Sequence, residues 1–143
     1  MKKVDDRVSV AGQIRAEDIP KLAAAGVKVI VNNRPDHEEP GQLTAEEARR
    51  IAEACGIDYH HIPVRGAFIT PEAVQKFNEI LEKSEGPILA HCRSGGRSTL
   101  LWAIAQVAAG RMTLEEACAA AEKHGYDVRE TVRRHLPHLT RNG

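Results

Sequence analysis

Residues 87–109, PILAHCRSGGRSTLLWAIAQVAA, constrain the fold more than any other stretch. Pro87 to His91 reads as a short buried strand, followed by a glycine turn and an apolar helix from about Ser98. Cys92 sits at the hinge, with Arg93, Ser94, Gly95 and Gly96 between it and Arg97. A turn of this kind points several backbone N–H groups at one spot, an anion-binding nest completed by the helix N-terminus. The Arg97 guanidinium adds a planar donor suited to tetrahedral oxyanions. In such a field a thiol ionises easily, falling from about 8.5 to roughly 3.5–7.5. Residues 92–97 thus supply a nucleophile, a cradle and a charge clamp. A merely buried cysteine, the reading that suits Cys55 and Cys118 on their alanine-rich helices, leaves the glycines and arginines around Cys92 unexplained.

The rest of the chain alternates. Val8 to Ala11, Val27 to Val31 and Ile57 to Val64 read as further strands. Helices are expected over residues 16–25, after the capping box at Thr44–Glu47, after Thr70-Pro71 as far as Lys83, after the capping box at Thr113–Glu116, and from Val128 to Leu136, where Pro137 ends the last. This pattern predicts an α/β fold, a mainly parallel four- to five-stranded sheet flanked by helices on both faces, in one domain spanning 1–143. Chemistry in such sheets gathers at the carboxyl ends of the strands. That rule brings the 33–41 loop, the 65–69 loop and the cysteine turn to one rim.

Twenty basic and twenty acidic residues cancel, so no global field attracts nucleic acid or an anionic membrane. Three cysteines make neither a disulfide framework nor a metal spacing, and the N-terminus lacks a signal-peptide core, so a cytoplasmic setting is expected. No metal or cofactor is expected: His60 and His61 point to opposite faces of a strand, and no nucleotide-binding glycine motif is present. Arg133, Arg134, His135, His138 and Arg141 read as a solvated, mildly basic helix face.

The segment HCRSGGRS is similar to the signature loop of cysteine-dependent protein tyrosine and dual-specificity phosphatases, His-Cys-x5-Arg-Ser/Thr. With AGQIRAEDI, VNNRPDHEEPGQ and HIPVRGAFITPE it more closely resembles the bacterial beta-lactamase-hydrolase-like, phosphatase-like domains, over about residues 8–109. The resemblance implies a dual-specificity-phosphatase-like fold, and members carry both phosphatase and sulfurtransferase labels. Two departures bear on the reaction. Four residues, not five, separate Cys92 from Arg97, a length that looks like the loops of rhodanese-type sulfurtransferases. And Ile62-Pro63-Val64-Arg65 is followed by Gly66, where dual-specificity phosphatases commonly place their general acid. Losing general-acid catalysis costs typically 10²–10⁴-fold, whereas sulfite leaving from thiosulfate needs no proton.

Both departures favour a thiosulfate sulfurtransferase working through a Cys92 persulfide, with an anionic sulfur donor and a glutathione-like thiol, or cyanide, as acceptor. The alternative is a tyrosine- or dual-specificity-type phosphatase with a Cys92 phosphocysteine; a third reading is an anion or persulfide sensor. In the leading reading Cys92, Arg97 and Ser98 are catalytic, Ser98 hydrogen-bonding the thiolate. Arg93, Ser94, Gly95 and Gly96, with Arg34, Asp36 and Arg65, bind substrate, and His91 supports the loop from beneath. Asp36 is either a displaced general acid, a partner of Arg34 or Arg97, or the shaper of the turn after Pro35. Gln13 is a weaker contact.

Overall fold

Side chains of the central strands alternate between two apolar layers. Val8, Val10, Val29, Val31, Ile88 and Ala90 face one, while Ile30, Leu89 and Tyr59 face the other. Strands buried on both sides are what a parallel sheet with helical crossovers demands. In this computed structural model, which describes residues 1–84 and 86–139, the strands are β1 (Lys2–Lys3), β2 (Val8–Ala11), β3 (Val29–Asn32), β4 (Asp58–His61) and β5 (Ile88–His91). The helices are α1 (Asp18–Ala24), α2 (Ala45–Ala54), α3 (Pro71–Lys83), α4 (Gly96–Ala108), α5 (Leu114–Glu122) and α6 (Arg129–Leu139).

The sheet order is β1-β2-β5-β3-β4, parallel except for β1. The expected fold class therefore holds. Helices α1 and α2 contribute to the core on one face, and α3 to α6 to the core on the other. Central to the second layer is α4, buried from Ser98 to Gln106 and packed against α3, α5 and α6. A helix apolar all round has to be enclosed in this way.

Thr44 and Thr113 form full capping boxes with Glu47 and Glu116, and Thr70 caps α3 ahead of Pro71. Four departures from expectation stand out. Strand β1 is an added antiparallel edge, two exposed residues held by β2. Strand β4 stops at His61, since β3 ends at Asn32; Ile62 and Val64 then donate their N–H groups to Asn32 and Asn33 carbonyls. Helix α4 starts at Gly96, two residues early. Helix α6 runs through Pro137, which forfeits one N–H bond near its end, to the carbonyl of the exposed Arg133.

The basic face on α6 is interrupted. His135 is buried, donates through Nδ1 to the Thr131 carbonyl (2.7 Å) and accepts the Ile69 N–H on Nε2 (3.0 Å), tying α6 to the 65–69 loop. Arg141 and the side chain of His138 lie outside what the structure describes. Among the described residues, no helix is long and apolar enough to cross a membrane.

Candidate active site

Strand β5 carries His91 to the sheet rim, and the chain turns there because Gly95 takes φ 93°, a left-handed conformation that costs other residues about 1–2 kcal/mol. A Cβ on Gly95 would also press into the Tyr126 hydroxyl, which donates to the Ser94 carbonyl (3.0 Å). On the other side, Gln13 N–H donates to the Arg93 carbonyl (3.1 Å), and a Cβ on Gly12 would lie 2.8 Å from that oxygen. The turn is thus clamped between the end of β2 and the α5–α6 connection.

Cys92 is fully buried at its base. Burial pushes the thiol up, but the N–H groups of Ser98, Ser94, Gly95 and Arg97 outweigh it and hold the thiol below its ordinary value. The Gly95 N–H stands 3.1 Å from Sγ. Even in this shorter loop several N–H groups act on the sulfur, those of Arg97 and Ser98 in the first helical turn among them, while that of Gly96 turns to Ser94 Oγ (3.4 Å).

Arg97 is held from behind. Its Nη1 and Nη2 donate to the two Glu38 oxygens, each at 2.8 Å, and Nη1 also donates to the Val64 carbonyl at 2.9 Å. Those bonds engage three of the five guanidinium N–H groups, leaving two, on Nε and Nη2, along the edge that serves the Cys92 side. Glu38 in turn accepts from Arg34 Nε (2.8 Å). The Arg97 hydrogen bonds, with the one from Arg34, outweigh desolvation and hold the Glu38 carboxyl down at about 2. Glu38 is therefore an ionised brace rather than a proton donor.

The other expected residues divide. Arg34 is buried, donates to Gln13 Oε1 (3.0 Å) and pairs with Glu38 and Glu39, so it supports Glu38 instead of meeting a ligand. Asp36 turns away, its Oδ1 accepting the Ala45 N–H (2.9 Å) at the start of α2. That contact selects turn and cap over general acid. Ser98 Oγ donates to Asn33 Oδ1 (2.7 Å), so its hydroxyl proton is committed to Asn33 while its backbone N–H serves the sulfur. Arg93 and Arg65 are exposed at the rim. His91 is buried beneath the turn; burial lowers it to about 4, only partly offset by the Cys92 backbone, so the ring is neutral. Among the described residues no group of three His, Cys, Asp or Glu side chains could hold a metal ion.

A groove of about 490 Å³ runs beside the turn, its lining including Ser94, Arg97, Glu38, Leu100, Tyr126 and Asp127. Glu38, Tyr126 and Asp127 escaped the sequence reading. Glu38 could have been suspected from its place in the loop after β3, but nothing local ties residues 126 and 127 to a turn some thirty residues earlier.

The family described as "Beta-lactamase hydrolase-like protein, phosphatase-like domain" matches residues 1–109. A beta-lactamase hydrolase-like protein of Agrobacterium fabrum is 36% identical over 126 residues, covering 88% of this chain and 29% of that one. The chain spans about three-tenths of the length of the curated relatives it matches. Among solved structures, a putative phosphatase from Neisseria meningitidis shares 31% identity with a TM-score of 0.79, covering 93% of this chain and 94% of that one. Tk-PTP in its active form shares the fold at 20% identity, TM-score 0.76, covering 99% and 97%.

These likenesses overturn the expected thiosulfate sulfurtransferase: the matching family and the Neisseria structure are both phosphatase-like. Loop length does not by itself count inward N–H groups, since those of Arg97 and Ser98, in the first turn of α4, also act on the sulfur. The persulfide, the sulfane donor and the thiol acceptor lose their basis with that expectation. The chain belongs to the beta-lactamase hydrolase-like protein, phosphatase-like domain family.

Proposed function

We propose that this chain is a cysteine-dependent phosphatase that hydrolyses phosphomonoesters through a Cys92 phosphocysteine. The observation that carries the reading is the buried thiol held low by the N–H groups of Ser98, Ser94, Gly95 and Arg97, beside an Arg97 edge fixed by Glu38. The phosphoryl oxygens take the nest N–H groups and the free edge of Arg97, which stabilise charge as it spreads over them. The Cys92 thiolate attacks phosphorus in line, and the ester oxygen leaves outward into the groove. Water then cleaves the S–P bond, releasing inorganic phosphate and the thiolate. Ala67, Leu100 and Val128 give the groove an apolar wall, which favours aryl esters such as phosphotyrosine. Residues 1–143 act in this reading as one domain in a cytoplasmic setting, where Cys92 stays reduced.

The test is release of phosphate from p-nitrophenyl phosphate by wild type and Cys92→Ser, with intact-mass detection of a phosphoryl adduct after acid quench. Cys92-dependent release with an adduct on wild type alone is expected. Turnover unaffected by Cys92→Ser, or none in either protein, would sink the reading.

A further inference from the structure

We infer that Asp127, on the α5–α6 connection, is the general acid of this site, in place of the residue lacking at Gly66; the inference rests on the phosphatase reading. In an in-line displacement the leaving oxygen points away from the attacking sulfur, so its proton donor belongs on the groove side of the nest. The groove above Arg97 has two carboxyl groups in its lining, Glu38 and Asp127. Glu38 is engaged by both arginines and stays ionised. Asp36 is spent on the Ala45 N–H. Asp127 is exposed, and no described residue hydrogen-bonds or ion-pairs with its carboxyl.

Its neighbours hold it there. Tyr126 is pinned to the cysteine turn through the Ser94 carbonyl, and Val128 is 5% exposed in the core, its carbonyl accepting the Val132 N–H that opens α6. The residue between two such anchors has little freedom to drift from the groove. Gly66, which stands where dual-specificity phosphatases commonly place their acid, lines the same groove. A donor on the α5–α6 connection therefore opens onto the same groove as position 66.

The proton balance is complete. As Cys92 Sγ bonds to phosphorus, the P–O bond breaks and its electron pair goes to the ester oxygen, which takes the Asp127 carboxyl proton. The carboxylate so formed accepts a proton from the water that attacks the phosphocysteine, yielding inorganic phosphate, the Cys92 thiolate and Asp127 in its acid form.

The experiment compares single-turnover phosphorylation of Cys92 by p-nitrophenyl phosphate and by phenyl phosphate, in wild type, Asp127→Asn and Asp127→Glu. Asp127→Asn is near-isosteric at an exposed position. It is expected to slow phenyl phosphate by about 10²–10⁴-fold, with a much smaller loss on the better leaving group and partial recovery in Asp127→Glu. Equal losses on both esters, or none, would overturn the role of Asp127 while leaving the phosphatase standing. Absence of Cys92-dependent turnover in wild type overturns both.

Discussion

Replacing Glu38 by glutamine tests the brace behind Arg97. The carboxyl is held at about 2 against an ordinary 4.5, chiefly by the Arg97 hydrogen bonds. At about 1.4 kcal/mol per pH unit, that depression corresponds to at most about 3.5 kcal/mol of folding stability. The Glu38 side chain is 28% exposed, and solvent screening brings the expected contribution to about 1–2 kcal/mol. Losing a partner of Arg34, whose side chain is 1% exposed, acts in the same direction, tempered because Glu39 stays 3.1 Å from its Nη2. A depressed carboxyl stabilises fully above its unfolded value and loses that contribution as pH falls through the folded value. The gap between wild type and Glu38→Gln should therefore be widest at pH 6–7. It should narrow from about pH 4.5 downward and vanish near pH 2, within whatever range both proteins fold. Urea unfolding at pH 7, 5, 4 and 3 reads this directly, with the single, fully buried Trp102 as fluorophore. A gap constant from pH 7 to pH 3, or absent at pH 7, would refute the ion-pair account.

Two further substitutions probe the turn. Gly95→Ala should cost about 2 kcal/mol from the left-handed backbone alone and misplace the nest; Tyr126→Phe in the same protein should recover only the part due to the hydroxyl contact. Thermal unfolding of the single and double variants checks this, and an undiminished Gly95→Ala would count against the described turn. Ser98→Ala should leave the pH dependence of Cys92 alkylation by iodoacetamide nearly unchanged while lowering stability by about 1–3 kcal/mol, because Asn33 Oδ1 loses its buried donor. A rise of a full pH unit in the alkylation midpoint would show that the hydroxyl serves the thiolate after all.

Local contacts are written in the chain, and distant ones are not. Thr44 with Glu47, Thr113 with Glu116, and Thr70 before Pro71 are bonds closed within a few residues, so the chain text displays them. The strand, glycine turn and helix around Cys92 are equally local, and the family's name for the fold followed from them. Which way an N–H points is different. Spacing between Cys92 and Arg97 counts residues, not donors, and the reaction expected from that count was the part overturned.

The alternating α/β pattern, the cysteine–arginine turn at the end of a buried strand and the helix caps are all set by neighbours in the chain. What surrounds that turn was left to the tertiary structure. It set Glu38 behind Arg97, turned Asp36 to α2, committed the Ser98 hydroxyl to Asn33, and brought Tyr126 and Asp127 beside the turn. Those choices depend on how the loops after β2, β3 and β4 and the α5–α6 connection meet above the sheet. Contacts between residues so far apart in the chain leave no spacing to read.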